Sequence, residues 1–257
     1  MTGPSTELTP LTRARFQRDG YVVQRALADD GMCESMLRIA REHLADTLAP
    51  VEYEADVKYP GAPADRDAEG GSTVRRLLDA CARHPLYREW ATSIPVRSTL
   101  SQLFGTGEVT LSQCHHNCIM TKQPGFSSAT LWHQDNRYWS FDEENLISVW
   151  VALGTENRDN GCLRVIPGSH AMNIEPGRFD ARQFLRPDLP ENKELIARSA
   201  LVELNKGDVL FFHSRLFHAA GRNLTDETKF SVVFTYHEAS NHPIEATRSA
   251  RYPGIPL

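Results

Sequence analysis

The chain has 257 residues, of which 40% are hydrophobic and 24% charged, and its formal net charge at pH 7 is −5. This composition excludes a disordered chain, a collagen and a coiled coil, and the length fits one large globular domain or two small ones. The apolar runs are too short to cross a bilayer, and a mildly acidic chain without a basic run argues against a nucleic-acid or membrane partner. Five cysteines without disulfide spacing and an N-terminus without a basic and apolar leader predict a cytoplasmic protein with reduced thiols.

The first hundred residues are predicted to be mainly helical. Thr9 can cap a helix that has Pro10 in its first turn and ends at Gly20. Periodicity and turn residues predict, further along, a strand at 21–23, helices at 32–47, 85–92 and 95–104, and a long lid-like loop at 50–72.

From residue 108 onward the pattern changes to short strands rich in Val, Ile, Phe and Thr, separated by turn residues. Because strands and helices do not alternate, a doubly wound parallel sheet is not expected. A helical layer (1–106) packed on an antiparallel barrel or sandwich (107–240) is expected instead, as one domain over 1–257. The predicted strands are 109–121, 147–153, 163–166, 201–204, 209–213 and 229–236, with an insertion at 171–199 that carries a short helix at 191–197.

A histidine and an aspartate lie two positions apart at His133 and Asp135. In an extended segment both side chains point to the same face, and His218, after a later strand, is a candidate third ligand. Two imidazoles and one carboxylate form the facial triad of non-haem iron oxygenases. The His-x-Asp motif alone more often marks an aspartate in a turn beside a surface histidine. Other segments of the chain are therefore needed to support a metal site.

Seven segments in order give that support. Together they resemble the phytanoyl-CoA dioxygenase family of Fe(II)/2-oxoglutarate-dependent oxygenases over about residues 8–237. The segments are FQRDGYVV (16–23), MTKQPG (120–125), WHQD (132–135), SVWVAL (148–153), NGCLRVIPGSH (160–170), GDVLFFH (207–213) and HAAGRN (218–223).

The resemblance implies a mainly β fold with flanking α-helices: a double-stranded β-helix (jelly-roll) core preceded by N-terminal helices. It also implies that His133, Asp135 and His218 hold Fe(II), and that 2-oxoglutarate and O2 are cosubstrates. Gln134, Trp150 and Met120 correspond to residues near the cosubstrate pocket, although for Trp150 plain core packing is an equal alternative.

One position departs from the family pattern. Where family members carry an arginine that pairs with the far carboxylate of 2-oxoglutarate, eleven residues after the distal histidine, this chain has Lys229. A lysine supplies the charge without the bidentate fork, and Ser231 on the same strand face can add a hydroxyl donor. Arg222, in the turn after His218, is the alternative anchor.

The segment CHHNC (114–118) brings cysteine and histidine close together and is a candidate second metal site. No second pair of ligands at zinc-like spacing accompanies it, so packing is expected, with His116 or Asn117 as possible contacts of a substrate.

The functional prediction is an oxidoreductase: a dioxygenase that hydroxylates an unactivated C–H bond of a small-molecule metabolite and releases succinate and CO2. Desaturation, cyclisation and epimerisation remain open, as do substrate identity and oligomeric state. Two alternatives are a cupin-like metal-dependent isomerase or hydrolase and a jelly roll that binds a ligand without catalysis.

Overall fold

In the computed structural model of the chain, residues 7–257 are described. The prediction about a leader concerns residues 1–7, nearly all of which lie outside the described residues. The helices of the described part precede the main strands or interrupt them. They are α1 (Pro10–Asp19), α2 (Asp30–Ala45), α3 (Glu54–Val57), α4 (Ala80–Arg83), α5 (Pro85–Ala91), α6 (Ile94–Phe104) and α7 (Pro190–Ala197).

Helix α1 shows how local sequence sets these boundaries. The hydroxyl of Thr9 accepts a hydrogen bond from the Thr12 amide at 3.1 Å, and Pro10 occupies the first turn, where its missing N–H is not needed. Gly20 ends the helix with φ +79°, a left-handed conformation that favours glycine. The predicted start and end of this helix are confirmed.

The strands pair antiparallel throughout and form two sheets. The strands are β1 (Tyr21–Gln24), β2 (Val51–Tyr53), β3 (Val74–Leu78), β4 (Val109–Lys122), β5 (Thr130–His133), β6 (Leu146–Ala152), β7 (Leu163–Val165), β8 (Ala200–Val202), β9 (Val209–His213), β10 (His218–Ala220), β11 (Lys229–Glu238) and β12 (Ile255–Pro256). The larger sheet has the order β1–β9–β6–β11–β4–β3–β2, with β12 also on β4, and the smaller has the order β5–β10–β7–β8.

The two faces of the large sheet bury different partners. Val149 and Val151 on β6 and Phe234 on β11 belong to an apolar cluster shared with the N-terminal helices. Their sequence neighbours Trp150 and Val233 point to the opposite face of the sheet and belong to a second cluster, which includes residues of the small sheet. This alternation buries both faces of β6 and β11, so the core is a jelly roll covered on one side by helices, as predicted.

The N-terminal part is less purely helical than predicted. Within 1–106, β2 and β3 add to the edge of the large sheet, and β3 pairs with β4. The predicted loop 50–72 accordingly contains β2 and α3. Arg75 and Arg76 on β3 obscured the strand in the sequence, because charged residues depress the apolar alternation used to recognise strands.

None of the helices described within residues 7–257 has the length and apolar composition needed to cross a membrane.

Candidate metal centre and its cavity

Two strands of the small sheet bring the candidate ligands together. His133 ends β5 and Asp135 follows in a 3₁₀ turn, while the intervening Gln134 is extended (φ −112°, ψ 142°). The side chains of residues 133 and 135 therefore face the same side. His218 begins β10 and is the direct cross-strand partner of His133.

The three ligand groups converge inside the protein. One atom from each of His133, Asp135 and His218 lies within 4.8 Å of the other two, and all three residues are buried. Asp135 Oδ1 is 3.8 Å from His133 Nε2 and 3.5 Å from His218 Nε2. Two atoms that are each about 2.1 Å from a shared metal ion lie about 3 to 4 Å apart, so the spacing fits a cation.

Backbone carbonyls fix the orientation of both imidazoles. His133 Nδ1 lies 2.8 Å from the carbonyl oxygen of Leu131, and His218 Nδ1 lies 3.0 Å from that of Leu216. A carbonyl oxygen only accepts hydrogen bonds, so Nδ1 carries a hydrogen in each ring. Nε2, on the side of the ring toward Asp135, is then the atom that can bind a metal ion. The two rings are 4.2 Å apart between centroids.

The electrostatics of the site favour a neutral His133 and an ionised Asp135. Burial, reinforced by His218, holds the pKa of His133 well below its usual value. Burial alone would raise the pKa of Asp135, but His116, His218 and His133 together hold it below its usual value. The same forms are the ones that coordinate a metal.

Ser148 and His116 contact Asp135 Oδ2, whereas His133 and His218 lie near Oδ1. The Ser148 hydroxyl donates to Asp135 Oδ2 at 3.1 Å, and His116 Nδ1 lies 3.3 Å from that hydroxyl and 3.6 Å from Oδ2. Burial lowers the pKa of His116 to about 4, so its ring is neutral at pH 7. These contacts hold the carboxylate in place, and a two-histidine, one-carboxylate donor set fits Fe(II).

A cavity of about 730 Å³ opens onto the ligands His133 and Asp135. Aromatic side chains of Tyr59, Tyr138 and Trp139 line it. Five arginines lie along its wall. Arg76 is 3.4 Å from Glu52, whereas within residues 7–257 no carboxylate is within 4 Å of the other four: Arg137, Arg182, Arg248 and Arg251.

Arg137 is the member of this set closest in sequence to the metal ligands. Its guanidinium stacks on the ring of Phe184 at 3.9 Å and on that of Tyr138 at 4.3 Å. Its Nη1 is buried and has no hydrogen-bond partner among residues 7–257. A buried donor without a partner is costly, so this group favours an anionic ligand in the cavity.

Lys229 and Ser231, the residues predicted to bind the far carboxylate of 2-oxoglutarate, lie together in the structure. Both contact the carboxylate of Glu156, a side chain of the protein itself. Lys229 Nζ is 2.8 Å from Glu156 Oε2, and the Ser231 hydroxyl donates to Glu156 Oε1 at 2.6 Å. Trp150 Nε1 donates to the same Oε1 at 2.9 Å. The carboxylate of Glu156 thus binds three donors that the sequence assigned to the cosubstrate pocket.

The other three predicted residues make no hydrogen bond to Glu156. Gln134 donates from Nε2 to the carbonyl of Arg215 at 2.5 Å and lines a different cavity. Arg222 is exposed and donates to the carbonyls of Ser127 (3.0 Å) and Gly125 (2.6 Å). Met120 is half-buried, packs against the apolar cluster of the barrel, and pairs across the sheet with Ser231.

Several residues of the site were not found from the sequence. Glu156 lies in a turn-rich stretch after β6, where an acidic residue is commonly a solvated one. Ser148 alternates inward from Val149, and this parity gave a signal that its hydroxyl faces the barrel. For Arg137 and the more distant arginines no local pattern predicts a shared cavity.

A jelly roll with two histidines and one aspartate on one buried point defines the class of mononuclear metal proteins with a facial triad. The model of the phytanoyl-CoA dioxygenase (PhyH) family matches residues 16–231. The chain belongs to this family.

Curated relatives agree with the family assignment. Peroxisomal phytanoyl-CoA dioxygenase of Homo sapiens is 33% identical over 141 residues, which are 51% of this chain and 40% of that protein. The Rattus norvegicus protein is 28% identical over 244 residues, 87% of this chain and 67% of that protein. Ectoine dioxygenase of Sphingopyxis alaskensis is 24% identical over 245 residues, 89% and 75% of the two chains. The match thus spans less than half of the human relative.

Solved structures share the fold. The carbocyclase SnoK from nogalamycin biosynthesis superposes with a TM-score of 0.75 at 21% identity, covering 100% of this chain and 96% of that one. EctD from S. alaskensis with 2-oxoglutarate and 5-hydroxyectoine superposes with a TM-score of 0.75 at 21% identity, covering 100% and 88%. At 21% identity these superpositions support the jelly-roll fold and do not identify a substrate for this chain.

Proposed function

We propose that this protein is an Fe(II)- and 2-oxoglutarate-dependent oxygenase, an oxidoreductase that hydroxylates an unactivated C–H bond of a small organic molecule. The observation that carries the proposal is the convergence of His133 Nε2, His218 Nε2 and Asp135 Oδ1 on one buried point beside a large cavity. Family membership supports the same reaction class.

The residues of the chain divide the work. His133, Asp135 and His218 would hold Fe(II) at a buried point beside the cavity. With 2-oxoglutarate and O2 the bound iron supplies the oxidation of a C–H bond, with release of succinate and CO2. The leucine carbonyls that orient the two imidazoles, and Ser148 beneath the aspartate, keep the three ligands in the geometry that binding requires.

The cavity favours an anionic substrate. Its wall carries Arg137 with a buried, unpartnered Nη1, together with the three arginines without a nearby carboxylate. The aromatic rings of Tyr138 and Trp139 suit an apolar or ring-bearing body next to that anionic group. A carboxylate and a phosphate satisfy the same arginine chemistry.

A reducing compartment such as the cytoplasm suits the cysteines. All five are buried free thiols. Burial raises the pKa of Cys33, Cys118 and Cys162 to about 11 in each case, so these thiols stay protonated and unreactive.

Succinate release tests the proposal. Fe(II)-loaded protein is incubated in air with 2-oxoglutarate and a panel of small acids and phosphates, each paired with its neutral amide or ester. We expect succinate formation that an acid stimulates and its neutral counterpart does not. Asp135→Ala should abolish it, whereas His242→Ala, at an exposed histidine outside the site, should not. Stimulation by neutral compounds alone contradicts the substrate class, and no succinate under any condition contradicts the oxygenase.

A further inference from the structure

The pair formed by Glu156 and Lys229 lies in the protein interior. The side chain of Lys229 is 3% exposed and that of Glu156 is 0% exposed. The backbone of Glu156 is fixed as well, because its amide donates to the carbonyl of Leu204 at 2.7 Å and its carbonyl accepts from the Leu204 amide at 3.0 Å. The carboxylate is therefore part of the folded core rather than a surface group that met a lysine by chance.

The hydrogen bonds around this carboxylate form a complete set. Oε1 accepts from Ser231 and Trp150, Oε2 accepts from Lys229, and Lys229 Nζ also lies 3.3 Å from the Ser231 hydroxyl. Lys229 is 5.2 Å from the centre of the Trp150 ring. An ammonium, a hydroxyl and an indole N–H are a binding site for one carboxylate, and that site is filled by the chain itself.

Lys229 cannot bind the far carboxylate of 2-oxoglutarate while it is paired with the carboxylate of Glu156. Two anions around one buried lysine would repel each other in a medium of low dielectric constant, and a lysine lacks the fork that lets an arginine serve two oxygens at once. The cavity at the metal ligands is also not lined by Glu156, Lys229 or Ser231. The far carboxylate of 2-oxoglutarate therefore reaches Lys229 only if Glu156 leaves it.

We propose that Glu156 determines cosubstrate specificity: it competes for Lys229 with the far carboxylate of 2-oxoglutarate, so that this protein gains little from the second carboxylate of a 2-oxo acid. The inference rests on the proposed function, since it concerns how that site takes its 2-oxo acid. It predicts that 2-oxovalerate, which has the same five-carbon chain without the second carboxylate, binds nearly as well as 2-oxoglutarate.

The first test compares these two acids on the unaltered protein. Dissociation constants are measured by anaerobic titration calorimetry of Fe(II)-loaded protein, which requires no turnover. We expect the two constants to lie within about tenfold of each other. If Lys229 were free, its charge-assisted contact with the second carboxylate would strengthen binding of 2-oxoglutarate by about ten- to a hundredfold. Loss of the contact with Glu156 offsets this gain. A preference for 2-oxoglutarate of more than about tenfold overturns the inference.

The second test removes the competitor. Glu156→Ala leaves Lys229, Ser231 and Trp150 free for a carboxylate, so 2-oxoglutarate should bind about tenfold more tightly or better, while 2-oxovalerate changes little. Glu156→Gln removes the charge with less change in volume and should shift the preference in the same direction. Weaker binding of 2-oxoglutarate by folded variants, without a change in the preference, assigns Glu156 a purely structural role and overturns the inference.

A matched control is provided by Glu54, which is also fully buried and lies beside a cation. Its Oε2 accepts from Ser128 at 2.5 Å and is 3.7 Å from Arg75 Nη1. Glu54→Ala therefore tests the general effect of removing a buried carboxylate, and the preference between the two acids should stay at the wild-type value.

The outcomes separate the inference from the function it rests on. Tight binding of 2-oxoglutarate with a strong preference over 2-oxovalerate leaves the oxygenase standing and removes the role of Glu156. Absence of binding of either acid to the unaltered protein and to Glu156→Ala contradicts both. The comparison on the unaltered protein remains decisive if the variants do not fold.

Discussion

His133 and His218 are direct cross-strand partners on β5 and β10, with their ring centroids 4.2 Å apart. Residues 85 positions apart in sequence are thus placed by the register of a strand pair rather than by a mobile loop. Each ring is then oriented by a carbonyl two residues before it. The metal centre is therefore preorganised by backbone pairing, and a shift of register by one residue would turn one histidine away from the site.

The hydroxyl of Ser148 should matter for metal affinity. It donates to Asp135 Oδ2, so Ser148→Ala leaves the carboxylate less firmly held and should weaken Fe(II) binding by about ten- to a hundredfold. Anaerobic competition against a chromophoric chelator measures this. Thr235 is the cross-strand partner of Ser148, and its buried hydroxyl has no hydrogen-bond partner in the described part of the chain. Thr235→Val is therefore the matched control and should keep wild-type affinity. Equal affinity in all three proteins would refute this role for Ser148.

Lys122 predicts a stability change with pH. Burial, with Arg75 and Lys229 nearby, lowers its pKa to about 7, against 10.5 for an exposed lysine. Between pH 7 and 9 the unfolded chain keeps this proton and the folded chain has released it, so the free energy of unfolding should rise with pH. The contribution is about 1 kcal/mol per pH unit within that window and absent below it.

Chemical denaturation of metal-free protein from pH 6 to pH 9 checks this expectation. Lys122→Met should show a flatter curve than the wild type between pH 7 and 9. Lys193→Met, at an exposed position on α7, keeps Lys122 and should retain the wild-type slope. Identical slopes for the wild type and Lys122→Met would rule out the shifted lysine as their source.

Two glycines at helix ends form a matched pair. Gly20 and Gly105 have φ values of +79° and +80°. A Cβ at Gly20 would lie 2.5 Å from His170 Nδ1, whereas a Cβ at Gly105 would meet no atom of the described residues within 4 Å. Gly105→Ala should lower the free energy of unfolding by about 1 kcal/mol, and Gly20→Ala by at least about 2 kcal/mol. Denaturant titration of both variants measures the difference, and equal losses would show that the contact with His170 adds nothing.

Arg137 should contribute to substrate binding. Arg137→Gln removes the charge while keeping a polar side chain, so the KM for an anionic substrate found by succinate release should rise about tenfold, with a smaller change in kcat. Arg158→Gln alters an exposed arginine that does not line the cavity and serves as the control. An unchanged KM in Arg137→Gln would place the anionic group of the substrate elsewhere.

Much of the fold was accessible from the sequence because its signals are local. The cap at Thr9, the left-handed Gly20 and the runs of β-branched and aromatic residues in β6, β9 and β11 each predict structure within a few residues. Strands β5 and β10 were not predicted as strands, since they are only four and three residues long and include the polar ligands themselves. Their presence is a property of the sheet they join.

The site shows the same division. The spacing of His133 and Asp135 in an extended segment indicates a shared face, and the resemblance to a family supplies the third ligand. The parity of Lys229 and Ser231 on β11 likewise places their side chains together, at 3.3 Å. Nothing local indicates that Glu156, 73 residues earlier, contributes its carboxylate to them, because that contact depends on the path of the chain between β6 and β7.

The most direct test of the central claim is the visible absorption of the protein after anaerobic addition of Fe(II) and then 2-oxoglutarate. An iron centre held by His133, Asp135 and His218 with a chelating 2-oxo acid should give a metal-to-ligand charge-transfer band, which Asp135→Ala lacks and His242→Ala retains. A jelly roll that binds a ligand without iron, or a metal-dependent hydrolase or isomerase, gives no such band. Absence of the band in the Fe(II)-loaded wild-type protein would contradict the account.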